Sequence, residues 1–559
     1  MARNMKKIGE LLLDFEYINE EQFSKALEAQ KQKNGDSKLG ETLVEMGFIT
    51  EDQLIKVLEF QLGIPHAELS EFFLDPALAQ HIPENIARRH QAVPLEKNKN
   101  VLKVVMTDPT DLVAIDDIER VSGLVVKPQI GGPSEVSEAL NWLYSDDSID
   151  ISEFLDEFEG QQVEDDSYEE DELREMVEEA PIIRLANSII SKAYKRGASD
   201  IHVEPEEDYV RVRYRVDGVL SQEMTAPKNS HRALVSRFKI IADLDITEHR
   251  VPQDGRIQMK INSRKLDMRV STLPTVHGEK VVIRLLSRDT SLLDLDNLGF
   301  SEDNHKVLED LISKPHGILL LTGPTGSGKS TTLFASLNKI NDPRINLVTI
   351  EDPVEYQVEG VYQVQAKPKA GLTFARTLRS ILRQDPDVIM IGEMRDEETA
   401  EIAVRAALTG HLVFSTLHTN DAVSSVTRLV DMGLPPYLVA SSVIGVVAQR
   451  LVRRLCPDCK VKEELTKVDK KFLGNGNIDE AYRAKGCKKC GNSGYSGRLA
   501  LQEILVLDNE IQGLIAENAS ESKLFAAARE KGMNTLKEDG INKLKAGETD
   551  IDELRRILF

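Results

Sequence analysis

Tryptophan occurs once in these 559 residues, cysteine four times, and aromatic side chains make up only 5%. So few cysteines in so long a chain exclude a disulfide framework. Long apolar runs are also missing. Gly317–Leu321 and Val443–Ala448 are the size of core strands, far short of the ~20 residues of a membrane helix. Met1–Leu13 is short and interrupted by Glu10, so no signal peptide is expected. Nor is there a surplus of positive charge. Against 70 Lys and Arg stand 93 Asp and Glu, a net −23, which at face value speaks against a nucleic-acid binder. The hydrophobic fraction, 41%, suffices for ordinary cores, and the length predicts about three to five domains. The class left standing is a soluble, cytosolic, multidomain protein.

The acidity is local. Ser145–Glu179 carries 17 acidic residues and one basic residue, Arg174, a net −16 that leaves only −7 for the rest of the chain. Apolar residues are sparse there, so a solvated linker is expected, extended by its own repulsion. Net charge therefore does not exclude nucleic acid from the rest of the chain. The motifs below weaken that alternative, and no direct nucleic-acid contact is expected.

Residues 1–66 contain a repeat. Lys7-Ile8-Gly9-Glu10-Leu11-Leu12-Leu13 is echoed by Lys38-Leu39-Gly40-Glu41-Thr42-Leu43-Val44, and Ile18, Phe23, Leu27 and Gln30 by Ile49, Leu54, Leu58 and Gln61, always at the same offset along the chain. Each unit reads as a short helix, a turn and a second amphipathic helix, with Asn19 and Thr50 as N-caps. Two copies predict a pseudo-symmetric helical pair. Residues 67–144 read as a small α/β unit, with a strand at Val101–Met106 and a helix at Ala114–Val121. Order resumes after the linker with a helix over Ile182–Lys195. Strands follow at Ile201–Glu204, Tyr209–Val216, Leu266–Val270 and Val281–Leu286, and a hairpin turn at Asp217-Gly218. This second small α/β domain, 180–293, precedes a region, 294–559, that alternates strands and helices as a parallel-sheet domain should.

Within that region Gly323-Pro324-Thr325-Gly326-Ser327-Gly328-Lys329-Ser330 follows a buried-strand run and opens a helix. Its spacing fits a loop whose backbone N–H groups, with Thr331 next in line, curl round phosphates. Lys329 would reach the β- and γ-phosphates and the Ser330 hydroxyl Mg²⁺. Three more strands end in polar groups. Val388–Ile391 is followed by Gly392 and Glu393, a carboxylate placed to meet Mg²⁺ through water. Leu347–Ile350 leads into Glu351, Asp352 and Glu355, one of which could polarise water. Leu412–Leu417 runs into His418-Thr419-Asn420, where His418 is read as a sensor. Ligands bind at such strand ends in α/β folds.

Together these segments resemble the hexameric motor ATPases of type II secretion and type IV pilus assembly. Thr349–Tyr356 matches the family's acidic box, Asp387–Asp396 its second nucleotide motif and Gly410–Ala422 its histidine box. Gly197–His202 and Val251–Arg256 match the smaller domain before the motor. The resemblance implies a RecA-like P-loop motor, a PAS-like α/β domain ahead of it, helical and α/β docking domains at the N-terminus, and a zinc-binding insertion near 450–500. It implies ATP and Mg²⁺, with Glu355 as catalytic base and Glu393 as the magnesium-linked acid. It also implies arginines that complete the ATP site. The candidates are Arg269 and Arg284, in strand-like stretches, and Arg379, Arg383 and Arg395, flanking the second motif. Its partners would be five further copies, an inner-membrane platform protein and a cytoplasmic docking protein, which places the chain in the cytoplasm against that membrane. The tandem N-terminal module leans toward pilus extension rather than type II secretion; a DNA-uptake or conjugative motor is the remaining alternative.

Cys456-x-x-Cys459 and Cys487-x-x-Cys490 form two knuckles of a four-thiolate zinc signature, with a spacer long enough that it must loop out. Neither adjoins the thioredoxin-like βαβ unit that a redox pair would need. The N-terminal repeat resembles a tandem module that binds cyclic di-GMP in some of these ATPases. That pattern has Arg-Leu-Gly, a later Gly and a closing Gln. Here Lys7 and Lys38 replace the arginines, and Glu16 stands where the second copy has Gly47.

Overall fold

The computed structural model describes residues 7–32, 39–67, 69, 76–144, 180–261, 264–286, 294–474 and 478–558. The acidic stretch and Lys38 lie outside the described residues. The chain divides into two units, 1–287 and 288–559.

In the first unit, helices Ile8–Asp14, Glu20–Gln32, Leu39–Glu45 and Glu51–Leu62 realise the repeat. Asn19 and Gln22 exchange side-chain-to-backbone hydrogen bonds at 2.8 and 2.9 Å, and Thr50 and Gln53 do the same at 3.3 and 3.0 Å. Both are capping boxes at the predicted positions. Each repeat glycine makes room for its own second helix. A methyl group on Gly9 would sit 2.2 Å from Phe23, and one on Gly40 2.5 Å from Leu54. Glu16 has a φ of 60° and Gly47 one of 68°, so the turn keeps one shape in both copies although a side chain there costs about 1–2 kcal/mol. Leu12, Ile18 and Ala26 share one core with Leu43, Ile49 and Val57, so the two copies stabilise each other.

Next come β1 (Ala92–Asn98), β2 (Val101–Met106) and β3 (Val125–Ile130), with β2 central, antiparallel to β1 and parallel to β3. Helix Leu112–Ser122 makes the crossover, capped by Asp111. After the linker, β4 (Ala198–Pro205), β5 (Tyr209–Val216), β6 (Val219–Pro227), β7 (Gln253–Ile261), β8 (Arg264–Thr275) and β9 (Gly278–Leu286) form an antiparallel sheet in the order β6-β5-β4-β9-β8-β7. Helices Ala180–Lys195 and His231–Ile241 pack Leu185, Ile189, Leu234 and Phe238 on Val203, Val212 and Ile283 of one sheet face. Strand alternation sends the charged residues to the other face.

On that face Glu204 lies between Arg213, at 2.7 Å, and Lys280, at 2.7 Å. Burial raises its pKa, but the hydrogen bonds from Arg213 and Lys280 outweigh burial and hold the carboxyl at about 2. A carboxyl depressed in the fold stabilises it above its unfolded pKa of ~4.5 and loses that contribution as pH falls through the folded value. Urea midpoints are therefore expected to fall between pH 5 and pH 3, and Glu204→Gln is expected to flatten that part of the profile.

In the second unit, β10 (Gly317–Thr322), β11 (Leu347–Glu351), β12 (Val361–Gln365), β13 (Val388–Ile391), β14 (Leu412–Leu417), β15 (Val443–Leu455) and β18 (Tyr495–Val506) form one sheet, ordered β12-β11-β13-β14-β10-β15-β18. All neighbours are parallel except β15 and β18. Ile318, Leu320, Ile350 and Val413 enter the core on one face, and Leu319, Leu321, Leu347 and Phe414 that on the other. Cover on both faces is why these strands read as unbroken apolar runs. The arginine-rich Arg450–Arg454 is the second half of β15. Arg453 stacks 3.8 Å over the Tyr495 ring and pairs with Glu553, so this charge is consumed by packing. Between the cysteine pairs the chain loops out as β16 (Val461–Glu464), helix Lys467–Leu473 and β17 (Glu480–Arg483).

Candidate nucleotide site and cysteine cluster

β10 ends at Thr322, and the chain turns through Gly323–Gly328 into helix Lys329–Ile340. Gly326 and Gly328 have φ of 79° and 85°, left-handed values that glycine adopts without strain. No side chain caps this helix, so its first N–H groups are left to another partner, a role an anion fills at a helix start. The Lys329 side chain is buried, and its Nζ donates to the carbonyls of Gly323 at 2.6 Å and Pro324 at 3.1 Å. Burial lowers its pKa to about 8, with the Glu393 charge opposing.

The loop forms one wall of a cavity of about 450 Å³. Thr325–Thr331 line it, as do Glu351 at the end of β11 and Glu355 beyond it, Glu393 and Arg395 after β13, and His418 after β14. The ends of four parallel strands thus meet at one edge. Glu393 accepts from Arg395 at 2.5 Å and lies 3.5 Å from His418 Nε2. The turn carrying it is tied to β14, since Thr416 Oγ1 donates to the Gly392 carbonyl at 2.7 Å and Met394 N to the Thr416 carbonyl at 3.1 Å. Ser330 stands exposed at the first turn of the helix, so its hydroxyl and the Glu393 carboxylate are the groups that could hold Mg²⁺ with a nucleotide.

Glu351 and Glu355 differ in setting. Glu351 is 3% exposed and accepts from Thr349 Oγ1 at 2.6 Å and Gln363 Nε2 at 2.9 Å. Burial raises its pKa against those two bonds and a third from the Glu355 backbone N–H. Glu355 is half-buried on the cavity wall. The sequence singles out no role for Glu351, because its burial depends on β12 lying alongside β11.

Among the candidate arginines, only Arg395 lines the cavity. Arg379 pairs with Glu398 at 2.7 Å, and Arg383 donates to the Arg379 carbonyl and the Ser380 hydroxyl. Arg269 and Arg284 belong to the first unit, where they are direct cross-strand partners on β8 and β9. Register continues the row on both sides, to Arg256 on β7 and to Asp200 and then Arg215 on β4 and β5. Three guanidinium-bearing positions thus stand side by side on adjacent strands, at a spacing of ~4.8 Å per strand. Arg256 is held by Asp267, and Arg284 by Asp200 at 3.0 Å. Register alone puts Arg256 in this row, which its place in the sequence does not disclose.

Cys456, Cys459, Cys487 and Cys490 bring their sulfurs within 4.8 Å of one another. Three of the separations are 3.7, 3.8 and 4.0 Å. A tetrahedron with metal–sulfur bonds of ~2.3 Å has edges of about 3.8 Å. The backbone N–H groups of Cys487 and Gly494 donate to the Cys490 sulfur at 3.2 and 3.3 Å, which favours thiolate. The residues therefore fit a structural zinc ion, with all four positions filled by protein.

A family model described as type II/IV secretion system protein matches residues 175–556. A second, the MshEN domain, matches residues 62–150, from the last residue of the second repeat through the three-stranded unit. The type IV pilus assembly ATPase PilB of Myxococcus xanthus is 41% identical over 559 residues, 98% of each chain. The type II secretion system ATPase E of Vibrio cholerae is 43% identical over 503 residues, 88% of this chain and 99% of that one. The PilB of Thermus thermophilus is 42% identical over 506 residues, and the chain spans 56% of its length. Among solved structures, the Legionella pneumophila ATPase DotB shares the fold, with a TM-score of 0.51 at 21% identity over 66% of this chain and 94% of that one. With the family model spanning well over half of the chain and such relatives aligned over nearly the whole length, this chain belongs to the type II/IV secretion system ATPase family.

Proposed function

We propose that this chain is a Mg²⁺-dependent ATPase, active as a hexamer, that powers type IV pilus extension from the cytoplasmic side of the inner membrane through a platform protein and a cytoplasmic docking protein. The observation that carries the reading is the meeting of Lys329, Ser330, Glu355, Glu393 and His418 on one cavity at the edge of a parallel sheet. In this reading Lys329 neutralises phosphate charge, Ser330 and Glu393 hold Mg²⁺, Glu355 accepts the proton of the attacking water and His418 reports the phosphate's presence to Glu393. Arg269 and Arg284 supply positive charge from the first unit of a neighbouring copy. Specific activity should then rise with protein concentration as copies assemble. Activity per chain that stays constant down to concentrations where only monomers exist would remove the shared site.

The pilus branch is favoured by the alignment to the Myxococcus assembly ATPase over 98% of both chains. The secretion ATPase of Vibrio, at 43%, keeps pseudopilus assembly as the second reading. Deleting the gene separates them, since loss of surface pili supports the first and loss of exported proteins with pili intact supports the second. Cyclic di-GMP would bind the tandem repeat through Lys7, Gly9, Gln30 and their echoes. Calorimetry on the full chain tests it, and a flat titration removes the ligand.

Zinc is expected at one ion per chain. Because four thiolates hold it and none is spare, removing it should unravel the knuckles and leave the phosphate loop in place. Cys487→Ser is expected to bring metal content to zero while nucleotide binding survives. Metal analysis that finds no zinc in unchelated wild-type protein would refute the assignment.

A further inference from the structure

Beneath the phosphate loop lies a polar side chain that belongs to none of the nucleotide motifs. Gln449 sits on β15 among Val447, Ala448 and Val452, all buried, and is itself 1% exposed. Its Nε2 donates to the Ser327 carbonyl at 2.8 Å, and its Oε1 accepts from Thr332 Oγ1 at 2.9 Å. The loop's two ends press on the same residue. A methyl group on Gly323 would lie 2.5 Å from the Gln449 carbonyl oxygen, and one on Gly328 2.8 Å from its Nε2. Only a side chain with one donor and one acceptor at this reach satisfies both the loop carbonyl and the helix hydroxyl. An apolar residue would orphan two buried polar groups.

The next residue extends the connection. Arg450 donates from Nη1 to the Gln449 carbonyl at 3.0 Å, and from Nη2 to the Asn420 carbonyl at 2.9 Å and to Asn420 Oδ1 at 3.2 Å. Asn420 lies two residues beyond His418, and Thr419 between them bonds Thr322, the last residue before the loop, at 2.6 Å. The floor of the loop and the histidine segment are thereby joined through one dipeptide.

We propose that Gln449 and Arg450 are positioning residues, Gln449 holding the phosphate loop in its binding shape and Arg450 fixing the His418 segment to that loop. The inference rests on the nucleotide reading of the cavity. A loop shaped by Gln449 grips ground state and transition state alike, so its loss raises KM more than it lowers kcat. Arg450 acts through the histidine segment, so its loss lowers kcat and leaves KM in place.

The test uses the full chain with Mg-ADP calorimetry and steady-state ATP hydrolysis. Gln449→Met, which keeps volume and loses both bonds, is expected to weaken ADP binding and raise KM by ~10–100-fold, with kcat within a few-fold. Arg450→Met is expected to lower kcat, and adding it to His418→Ala should cost nothing further. Unchanged ADP affinity in folded Gln449→Met overturns the first half, and additive losses in the Arg450→Met/His418→Ala protein overturn the second. Should Gln449→Met not fold, Thr332→Val removes one of the two bonds and is read in the same way. Failure of the wild-type chain to bind Mg-ADP would instead strike the nucleotide reading itself.

Discussion

Lys329→Ala is expected to abolish ATP turnover, with the hydrolysis rate falling ~10³-fold or more while the folded content measured by circular dichroism is retained. The ammonium is among the most buried charges on the cavity wall, and its Nζ is held 2.6 Å from the Gly323 carbonyl at the mouth of the loop. That position serves a ligand with several negative charges, which would draw the ammonium off two neutral carbonyls onto phosphate oxygen, a charge-assisted bond about twice as strong. Nothing else in the loop carries charge, since Gly323–Gly328 is glycine, proline, threonine and serine. The loop's N–H groups would still attract phosphate, so residual weak nucleotide binding in the variant is consistent with the assignment. Lys329→Arg should fare little better, because a planar fork cannot turn as the compact ammonium does within a wall this close. Phosphate release measured under saturating Mg-ATP decides the matter. Wild-type rates in Lys329→Ala would move the site elsewhere.

The sequence discloses most of this loop and its strand because each depends on neighbours in the chain. A glycine-rich turn between an apolar run and a helix is a local pattern, and so are the capping boxes at Asn19 and Thr50 and the hairpin at Asp217-Gly218, whose φ values of 49° and 83° suit a tight turn. What the sequence conceals depends on residues brought from afar. β12 has only five residues and a half-exposed burial pattern, which leaves little periodicity to read, yet its Gln363 decides how Glu351 is held. β15 continues through Arg450–Arg454 because β18 covers it and Tyr495 and Glu553 receive Arg453, none of which is near in sequence. Arg256 joins Arg269 and Arg284 only through strand register. Gln449 carries a faint local signal, as a glutamine that directly follows the apolar run Val443–Ala448. The loop it supports, Gly323–Gly328, lies four strands earlier in the chain, beyond the reach of any local pattern.

The same long-range burial separates Glu351, at the end of β11, from Glu355 beyond it and sets the second large expectation. Glu355→Gln should lower kcat by ~10²–10⁴-fold with KM nearly unchanged, the pattern of a lost general base. Glu351→Gln should act chiefly on stability. Glu351 is engaged by Thr349, Gln363 and the Glu355 backbone N–H, so its carboxyl braces the turn that carries Glu355 and has little capacity left to accept a proton from water. Glu355 stands on the cavity wall with an amide-tethered backbone and a half-exposed side chain, where water can reach it. Two readouts distinguish brace from base. Loss of a base removes the acid limb of the kcat profile, whereas loss of a brace leaves that limb and lowers the thermal midpoint. A brace can also be rebuilt in part. The amide oxygen introduced by Glu351→Gln still accepts from Thr349, so its stability cost should be smaller than that of Glu351→Ala. If Glu351→Gln instead removes turnover and the acid limb while Glu355→Gln keeps both, the roles are exchanged. The raised pKa that burial gives Glu351 would then be the tuning of a base.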